Sequence, residues 1–198
     1  RILIIPPFLD SNYYLSPDSG LIAWLIQQHR QGTIVCSACA GTFVLAATGL
    51  LQGRPATTHW GLEEQFSQRF AGVNLEINKI LINDGDLITA GGLMSWVDLG
   101  LEVVALCSNP GIMRQLGKYL IVDTAPREQR FYQSFSPKLD HGDDAVLKAQ
   151  HFLQQRYAEP VKVSSIAELC CLTERTFLRR FSRMTGLKPL QYLQRLRI

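Results

Sequence analysis

The sequence contains no apolar run long enough to cross a membrane and no basic segment followed by an apolar leader. A membrane-spanning helix needs about 20 mostly apolar residues, and a secretory leader needs a basic and then an apolar stretch. We therefore expect neither export nor membrane association, and we expect the protein to work in the cytoplasm. The composition otherwise suits a globular protein with a sizeable core.

A sequence pattern typical of a zinc site is also lacking. There are five cysteines, an odd number, and most lie inside apolar segments, as is typical of a reducing compartment. Cys36 and Cys39 have the C-x-x-C spacing, but no second cysteine pair or histidine cluster stands near them in the sequence. We therefore expect no metal site and no cofactor. A redox pair is the alternative, which the expected burial of Cys36 in a strand disfavours.

Acidic charge is scarce in one part of the chain. Residues 1–144 carry 10 basic and 14 acidic residues, whereas residues 145–198 carry 10 basic and 3 acidic ones, within a net charge of +3. A basic segment on an otherwise acidic chain predicts a nucleic-acid partner. The alternative is a basic helical tail that only contacts solvent.

The first 133 residues alternate apolar strands with helices, which predicts an α/β domain with a doubly wound, flavodoxin-like parallel sheet. Its predicted elements begin with a strand at 1–7, a surface loop at 8–20 and a helix with Leu21, Ile22, Trp24 and Leu25 inward. A helix at 61–70, a hairpin turn at 83–86 and a strand at 87–90 are expected further along. The last two are a helix at 95–107 with Trp96, Leu99 and Val103 on one stripe, and a helix from Asn109 to about Leu120.

The stretch from Thr33 to Gly49 has the strongest local pattern in this domain. We predict a strand at 33–35, a tight turn at 36–41 and a helix at 42–47, with Cys39 at the apex of the turn. The amides and the dipole of the following helix would favour a negative charge at the apex. The turn is therefore suited to a thiolate or to a bound anion.

The remainder of the chain predicts a linker at 134–143 and a small all-α domain at 144–198. Its first helix is expected at 144–157, and a second at 166–170 capped by Ser164 or Ser165. A third helix at 174–184 is expected to end at Gly186.

The third helix has two distinct faces. Phe177, Leu178 and Phe181 form a predicted apolar stripe, and arginines recur every fourth residue on another face. This pattern is typical of a helix in the DNA major groove, with its apolar side packed on a partner helix. A solvated basic helix is the alternative.

Residues 163–192 closely resemble the first helix-turn-helix of AraC/XylS-type transcription regulators. The match includes Ala167, Leu169, the Arg175–Phe181 run, and Gly186-Leu-x-Pro189 followed by Tyr192. The resemblance implies that double-stranded DNA is a partner and that the family's second motif would lie beyond Ile198. The DNA-contacting residues it implies are Ser164, Ser165, Thr173, Arg175, Thr176, Arg179, Arg180 and Arg183.

Residues 1–133 resemble the PfpI-like branch of the class I glutamine amidotransferase fold. The matching segments are Cys39-x-Gly41, the 49–60 string ending in Thr-Thr-His-Trp, and 84–91 leading into an apolar helix. The resemblance implies that the fold's first strand and helix precede Arg1. The two resemblances together imply a homodimeric transcription regulator whose enzyme-like half senses a small-molecule effector. The expected ligand-binding residues are Cys39, Ala40, Gly41, His59, Gly91 and Gly92.

A cysteine-dependent hydrolase or amidase is the alternative function. It would use Cys39 as nucleophile and His59 as base. PfpI-type hydrolases usually carry a histidine directly after the cysteine, where this chain has Ala40. We therefore expect no enzymatic activity. Cys39 as an inert buried thiol and His59 as a hydrogen-bonded structural residue also remain open.

Overall fold

The computed structural model of the chain describes residues 1–132, 135 and 137–197. The chain divides into two compact units, Arg1–Gln133 and Ser134–Ile198. Four residues at or within the predicted domain and linker bounds, Gln133, Ser134, Ser136 and Ile198, lie outside the described residues. The helices of the described part reach at most 12 residues, and none is long and apolar enough to cross a membrane.

The first unit alternates strands and helices. Its elements are β1 (Ile2–Ile5), α1 (Ser11–Leu15), α2 (Ser19–Arg30), β2 (Ile34–Ala38), α3 (Gly41–Ala47), β3 (Pro55–Ala56), α4 (Glu63–Arg69), β4 (Asn74–Leu75), β5 (Leu81–Asn83), β6 (Leu87–Ala90), α5 (Trp96–Cys107) and α6 (Pro110–Leu120). Short 3₁₀ turns lie at Trp60–Leu62, Leu93–Ser95 and Gln129–Phe131.

The main sheet has the strand order β1-β2-β6-β5. The first three strands are parallel, with Ile4 opposite Cys36 and Cys36 opposite Ile88. β5 is antiparallel to β6, because only three residues join the two strands and a parallel pair needs a long crossover. The predicted α/β fold with a parallel sheet is therefore confirmed, with an antiparallel strand at one edge.

Side chains on both faces of the sheet are buried. Val35 and Leu87 pack with Phe43 of α3 on one face, whereas Cys36 and Ile88 pack with Leu99 of α5 on the other. Successive strand residues point to opposite faces, so the continuous apolar strands of the sequence fill two helix-covered cores.

The turn between β5 and β6 is held by charged side chains. Arg54 Nε contacts Asp84 Oδ2 at 2.5 Å and Arg54 Nη2 contacts Asp86 Oδ1 at 2.5 Å. His29 Nε2 lies 2.6 Å from Asp86 Oδ2. The Arg54 guanidinium, helped by His29, holds the pKa of Asp86 well below its usual range. Gly85 adopts a φ of 86°, which a side chain would strain.

Several predicted boundaries in this unit need correction. The predicted loop at 8–20 contains α1, which Asp10 caps by accepting a hydrogen bond from Asn12 N at 2.9 Å. β2 continues to Ala38, three residues beyond the predicted end of the strand. Trp24 and Trp96 are exposed rather than in the core, because Leu25 and Leu99 occupy the buried arcs of their helices.

The second unit contains α7 (Asp144–Gln155), α8 (Val163–Leu169), α9 (Glu174–Thr185) and α10 (Pro189–Leu196). All four helices contribute to one core, in which Leu153, Ile166, Phe177, Phe181 and Tyr192 are almost fully buried. The predicted helical domain is therefore present.

The helix ends in this unit follow local signals in most places. Thr173 accepts a hydrogen bond from Thr176 N at the start of α9, and Gly186 ends α9 with a φ of 72°. The predicted serine cap of α8 is wrong, because α8 starts at Val163 and Lys162 is its N-cap residue. Ser164 and Ser165 therefore lie inside the first turn of the helix.

Candidate functional site

Cys39 lies at a sharp turn between β2 and α3. Its φ of 53° is unusual for a residue with a side chain, and its amide donates to Ala90 O at 2.8 Å. Gly41 packs so closely on the end of β1 that an added Cβ would lie 2.9 Å from Ile5 O and 2.6 Å from O of the following residue, Pro6. The structure thus places Cys39 at the apex of the turn, at the carboxyl end of β2.

The environment of this thiol differs from the expected one. Cys39 is only 7% exposed, and burial raises the pKa of its thiol, although the backbone amide of Ala40 acts in the opposite direction. Burial disfavours the charged form and here outweighs the amide. Burial of Cys39 therefore opposes the thiolate that the amides of the turn were expected to favour.

His59 has its own hydrogen-bond partner. Its Nδ1 accepts from Gly61 N at 3.0 Å, and its ring packs on Trp60 with a centroid separation of 5.1 Å. Burial lowers the pKa of the imidazole, which favours its neutral form. Among the described residues no hydrogen bond joins His59 to Cys39. The neighbouring residue Thr58 does contact Cys39, because its Oγ1 donates to Cys39 O at 2.8 Å.

A buried glutamine, Gln129, organises the segment around His59. Its Nε2 lies 2.8 Å from Thr58 O, 3.0 Å from Ile77 O and 2.9 Å from Lys79 O. Its Oε1 accepts from Trp60 N at 3.1 Å. Gln129 therefore ties the 57–60 segment to the 77–79 segment. No pattern in the sequence predicts this role, since Gln129 lies in an irregular stretch far along the chain.

A cavity of about 200 Å³ opens beside His59. It is lined by His59, Trp60, Ile80, Gly92, Met94, Ser95, Asp98, Arg127, Gln129 and Tyr132. A larger cleft of about 570 Å³ shares Ile80, Asp98 and Arg127 with it. Aromatic rings, a thioether and a few polar groups together form the kind of surface that binds small organic molecules.

One ion pair lies in the cavity wall. Arg127 Nη2 contacts Asp98 Oδ1 at 2.6 Å, and this carboxylate raises the pKa of the guanidinium. The Nε atom of Arg127 is buried and has no hydrogen-bond partner among the described residues. A buried donor of this kind is favourably satisfied by water or by a ligand acceptor. Neither Arg127 nor Asp98 was predicted from the sequence.

The predicted ligand-binding residues separate into two groups. His59 and Gly92 line the cavity, whereas Cys39, Ala40, Gly41 and Gly91 are not among its lining residues. Gly91 is buried against Gln129, and an added Cβ would overlap that side chain. Glycine at position 91 is therefore explained by packing.

In the second unit, α9 presents an arginine face. Phe177 and Phe181 have no solvent exposure, whereas Arg175, Arg179 and Arg183 are exposed and recur every four residues. None of these three arginines has an ion-pair partner among the described residues. An unpaired cationic ridge on a helix whose other side is packed in the core is suited to a nucleic-acid backbone or groove.

The other predicted DNA-contacting residues differ in their solvent exposure and in their hydrogen-bond partners. Ser164 and Thr176 are half-buried, Ser165 and Thr173 are exposed, and Thr173 caps α9. Arg180 points away from the arginine face and binds Asp143, with Nε–Oδ2 and Nη2–Oδ1 distances of 2.9 and 2.7 Å. Among the described residues, the structure therefore gives Arg180 a partner within the unit, unlike the three arginines of the exposed face.

The described part of the predicted linker also contacts this unit. Gln150 donates to Lys138 O at 3.0 Å, and His141 Nε2 lies 2.8 Å from Gln150 Oε1. Asp143 caps α7 through Val146 N. These contacts make residues 138–143 an ordered edge of the helical unit.

The turn, the strand order and the two helical layers define the class of the first unit. Residues 2–106 match the DJ-1/PfpI family, and the chain belongs to that family. Residues further along extend the similarity to regulators. The chain is 28% identical to the HTH-type transcriptional regulator ArgR of Pseudomonas aeruginosa over 185 residues, which cover 93% of this chain and 55% of that protein.

Two further relatives show the range of functions around this fold. The isonitrile hydratase of Pseudomonas putida is 34% identical over 89 residues, covering 45% of this chain and 38% of the enzyme. A crystal structure of a candidate transcriptional regulator from Vibrio parahaemolyticus has a TM-score of 0.54 at 28% identity, covering 61% of this chain and 63% of that one. The predicted resemblance to regulators with a PfpI-like domain is confirmed. The chain spans about half the length of ArgR.

Proposed function

We propose that this chain forms the sensing unit and a DNA-contacting unit of an AraC-type, sequence-specific transcription regulator. The observation that carries the proposal is the arginine face of α9. Its exposed arginines, Arg175, Arg179 and Arg183, stand on a helix fixed to the core by two fully buried phenylalanines. The similarity to ArgR, an HTH-type regulator, runs through this helix and supports the same function.

In this proposal the first unit binds a small-molecule effector without transforming it. The cavity beside His59 supplies the binding surface, and the Arg127–Asp98 pair supplies polar recognition. The burial of Cys39, which raises the pKa of its thiol, argues against a nucleophilic role, since thiolates and not thiols attack substrates. Ala40 replaces the histidine expected in a hydrolase, and His59 is engaged with Gly61.

The alternative function is a cysteine-dependent hydrolase, and the similarity to isonitrile hydratase is the observation in its favour. It requires a base able to take a proton from Cys39. Neither the hydrogen bonds of His59 nor the burial of Cys39 supports that requirement. The regulator is therefore the better-supported function.

We infer that effector binding changes how the helical units of a homodimer are presented to DNA in the cytoplasm. Phosphate contacts by lysine and arginine would supply most of the affinity. Arg175 and Arg179, in the N-terminal half of α9, would reach base edges in the major groove.

The test is DNA binding by the full-length protein as a function of salt. Preferred duplexes are first selected from a randomised library, and the affinity for them is compared with that for random DNA. We expect a steep salt dependence, a clear preference for the selected sites, and at least tenfold weaker binding after Arg175→Ala or Arg179→Ala.

Arg156→Ala is the matched control. Arg156 is an exposed arginine of the same unit that lies outside α9 and pairs with Glu159 at 3.5 Å. The control should bind like the wild-type protein. Weak, salt-insensitive binding without sequence preference would refute the proposal, and turnover at Cys39 would then be examined.

A further inference from the structure

One side chain of α9 departs from the two-faced pattern of the helix. The sequence places Leu178 in the apolar stripe with Phe177 and Phe181, yet Leu178 is 37% exposed whereas the two phenylalanines have no exposure. The unit's core is therefore complete without full burial of Leu178. Part of the Leu178 side chain is therefore available for a contact outside the unit.

The helical period places Leu178 next to the arginines. Residues 175, 178, 179 and 182 stand at i, i+3, i+4 and i+7, which is one continuous face of a helix. On this face Leu178 follows Arg175 by one turn and precedes Ser182 by another. It also lies in the first half of α9, the half that in helix-turn-helix proteins contacts base edges.

In the DNA major groove, a leucine side chain has one kind of group with which it can make an apolar contact. Leucine neither donates nor accepts a hydrogen bond, and phosphates and most base edges are polar. The thymine C5-methyl group is the apolar feature of the groove, and apolar side chains recognise it. Arginines, by contrast, match the O6 and N7 acceptors of guanine.

From these observations we propose that Leu178 is a specificity-determining residue that contacts a thymine methyl group, between base or phosphate contacts made by Arg175 and Arg179. The inference rests on the proposed function and adds to it a requirement for thymine at one position of each half-site of the operator. Because the contact is apolar, it contributes to sequence preference and not to salt dependence.

The experiment replaces thymine by uracil, one position at a time, in a duplex selected by the full-length protein. Uracil lacks only the C5-methyl group, so each substitution removes one methyl contact. For the wild-type protein we expect one position in each recognised half-site at which uracil weakens binding about fourfold, the value for one buried apolar carbon.

Leu178→Ala should abolish that difference, so that the thymine and uracil duplexes bind equally, while the slope of affinity against salt stays unchanged. Leu190→Ala is the matched control, since Leu190 is 54% exposed on α10 of the same unit. It should retain the wild-type ratio. Circular dichroism of both variants verifies that the helices are intact.

Two results overturn the inference in distinguishable ways. If the wild-type protein selects a site but tolerates uracil at every position, or if Leu178→Ala keeps the fourfold ratio, Leu178 does not contact a thymine methyl. If the wild-type protein selects no site at all, the proposed function fails together with the inference.

Discussion

The hydrogen bonds of Gln129 lead to a testable prediction about what stabilises the segments around the His59 cavity. Gln129 is 3% exposed, and its Nε2 faces the carbonyl oxygens of Thr58, Ile77 and Lys79. An amide group has two hydrogens, so at most two of these acceptors receive a full hydrogen bond at once. Trp60 N donates to its Oε1 as the third clear interaction.

Gln129→Ala removes these partners and leaves backbone groups buried. Each buried polar group without a partner costs about 1–3 kcal/mol, and entry of water recovers part of the loss. We expect the free energy of unfolding of the first unit to fall by roughly 3 kcal/mol. Urea unfolding followed by tryptophan fluorescence measures this, since Trp24, Trp60 and Trp96 all lie in that unit. Gln27→Ala, at an exposed position of α2, is the control and should change the stability little.

Gln129→Glu preserves the size of the side chain and replaces its donor by an oxygen. A carboxylate facing carbonyl oxygens is unfavourable, so the pKa of this glutamate should be raised in the folded state. The variant should therefore be less stable than the wild-type protein at pH 7 and should approach wild-type stability as the pH falls and the carboxylate is protonated. A destabilisation below about 1 kcal/mol for both variants would show that the network does not hold the segment.

Two further predictions concern titratable groups. Burial raises the pKa of Cys39, so its alkylation by iodoacetamide should be slow at pH 7 and should accelerate only above the ordinary thiol pKa of about 8.5, as measured by mass spectrometry of the modified peptide. The exposed Cys107 is the internal reference for reagent access. Fast alkylation of Cys39 below pH 8 would restore the enzyme alternative. Arg180 holds the pKa of Asp143 below its usual range, so the pair stabilises the helical unit above the unfolded-state pKa of about 3.9 and loses this effect as the pH falls through the lower folded-state pKa. Asp143→Asn should therefore lower the urea midpoint of the helical unit at pH 7, and the difference from the wild-type protein should shrink in acid; a difference independent of pH would contradict an ionic role.

Short-range patterns in the sequence were sufficient for much of this protein. The Gly85 turn, the Asn109 cap of α6 and the Gly186 end of α9 each depend on one or a few neighbouring residues, and the structure has all three. The turn at Cys39 was likewise predictable, because an apolar strand followed by small residues and a helix has few local solutions. Covered parallel strands could be inferred from continuous apolar runs.

Other features depended on contacts between distant parts of the chain. Gln129 meets Thr58 and Ile77 across intervals of 71 and 52 residues, and Asp143 meets Arg180 across 37. No periodic pattern records such pairs, since periodicity reports only which side chains share a face of one element.

The sequence by itself determined the α/β class, the cysteine turn and the helix with alternating aromatic and arginine faces, because local propensity and hydrophobic period fix these features. Only the tertiary structure decided that Cys39 is a desolvated thiol, that Leu178 remains partly exposed and that Arg127 lines a cavity beside His59. Burial and electrostatic environment are sums over all the neighbours of a group, and most of those neighbours are far away in the sequence.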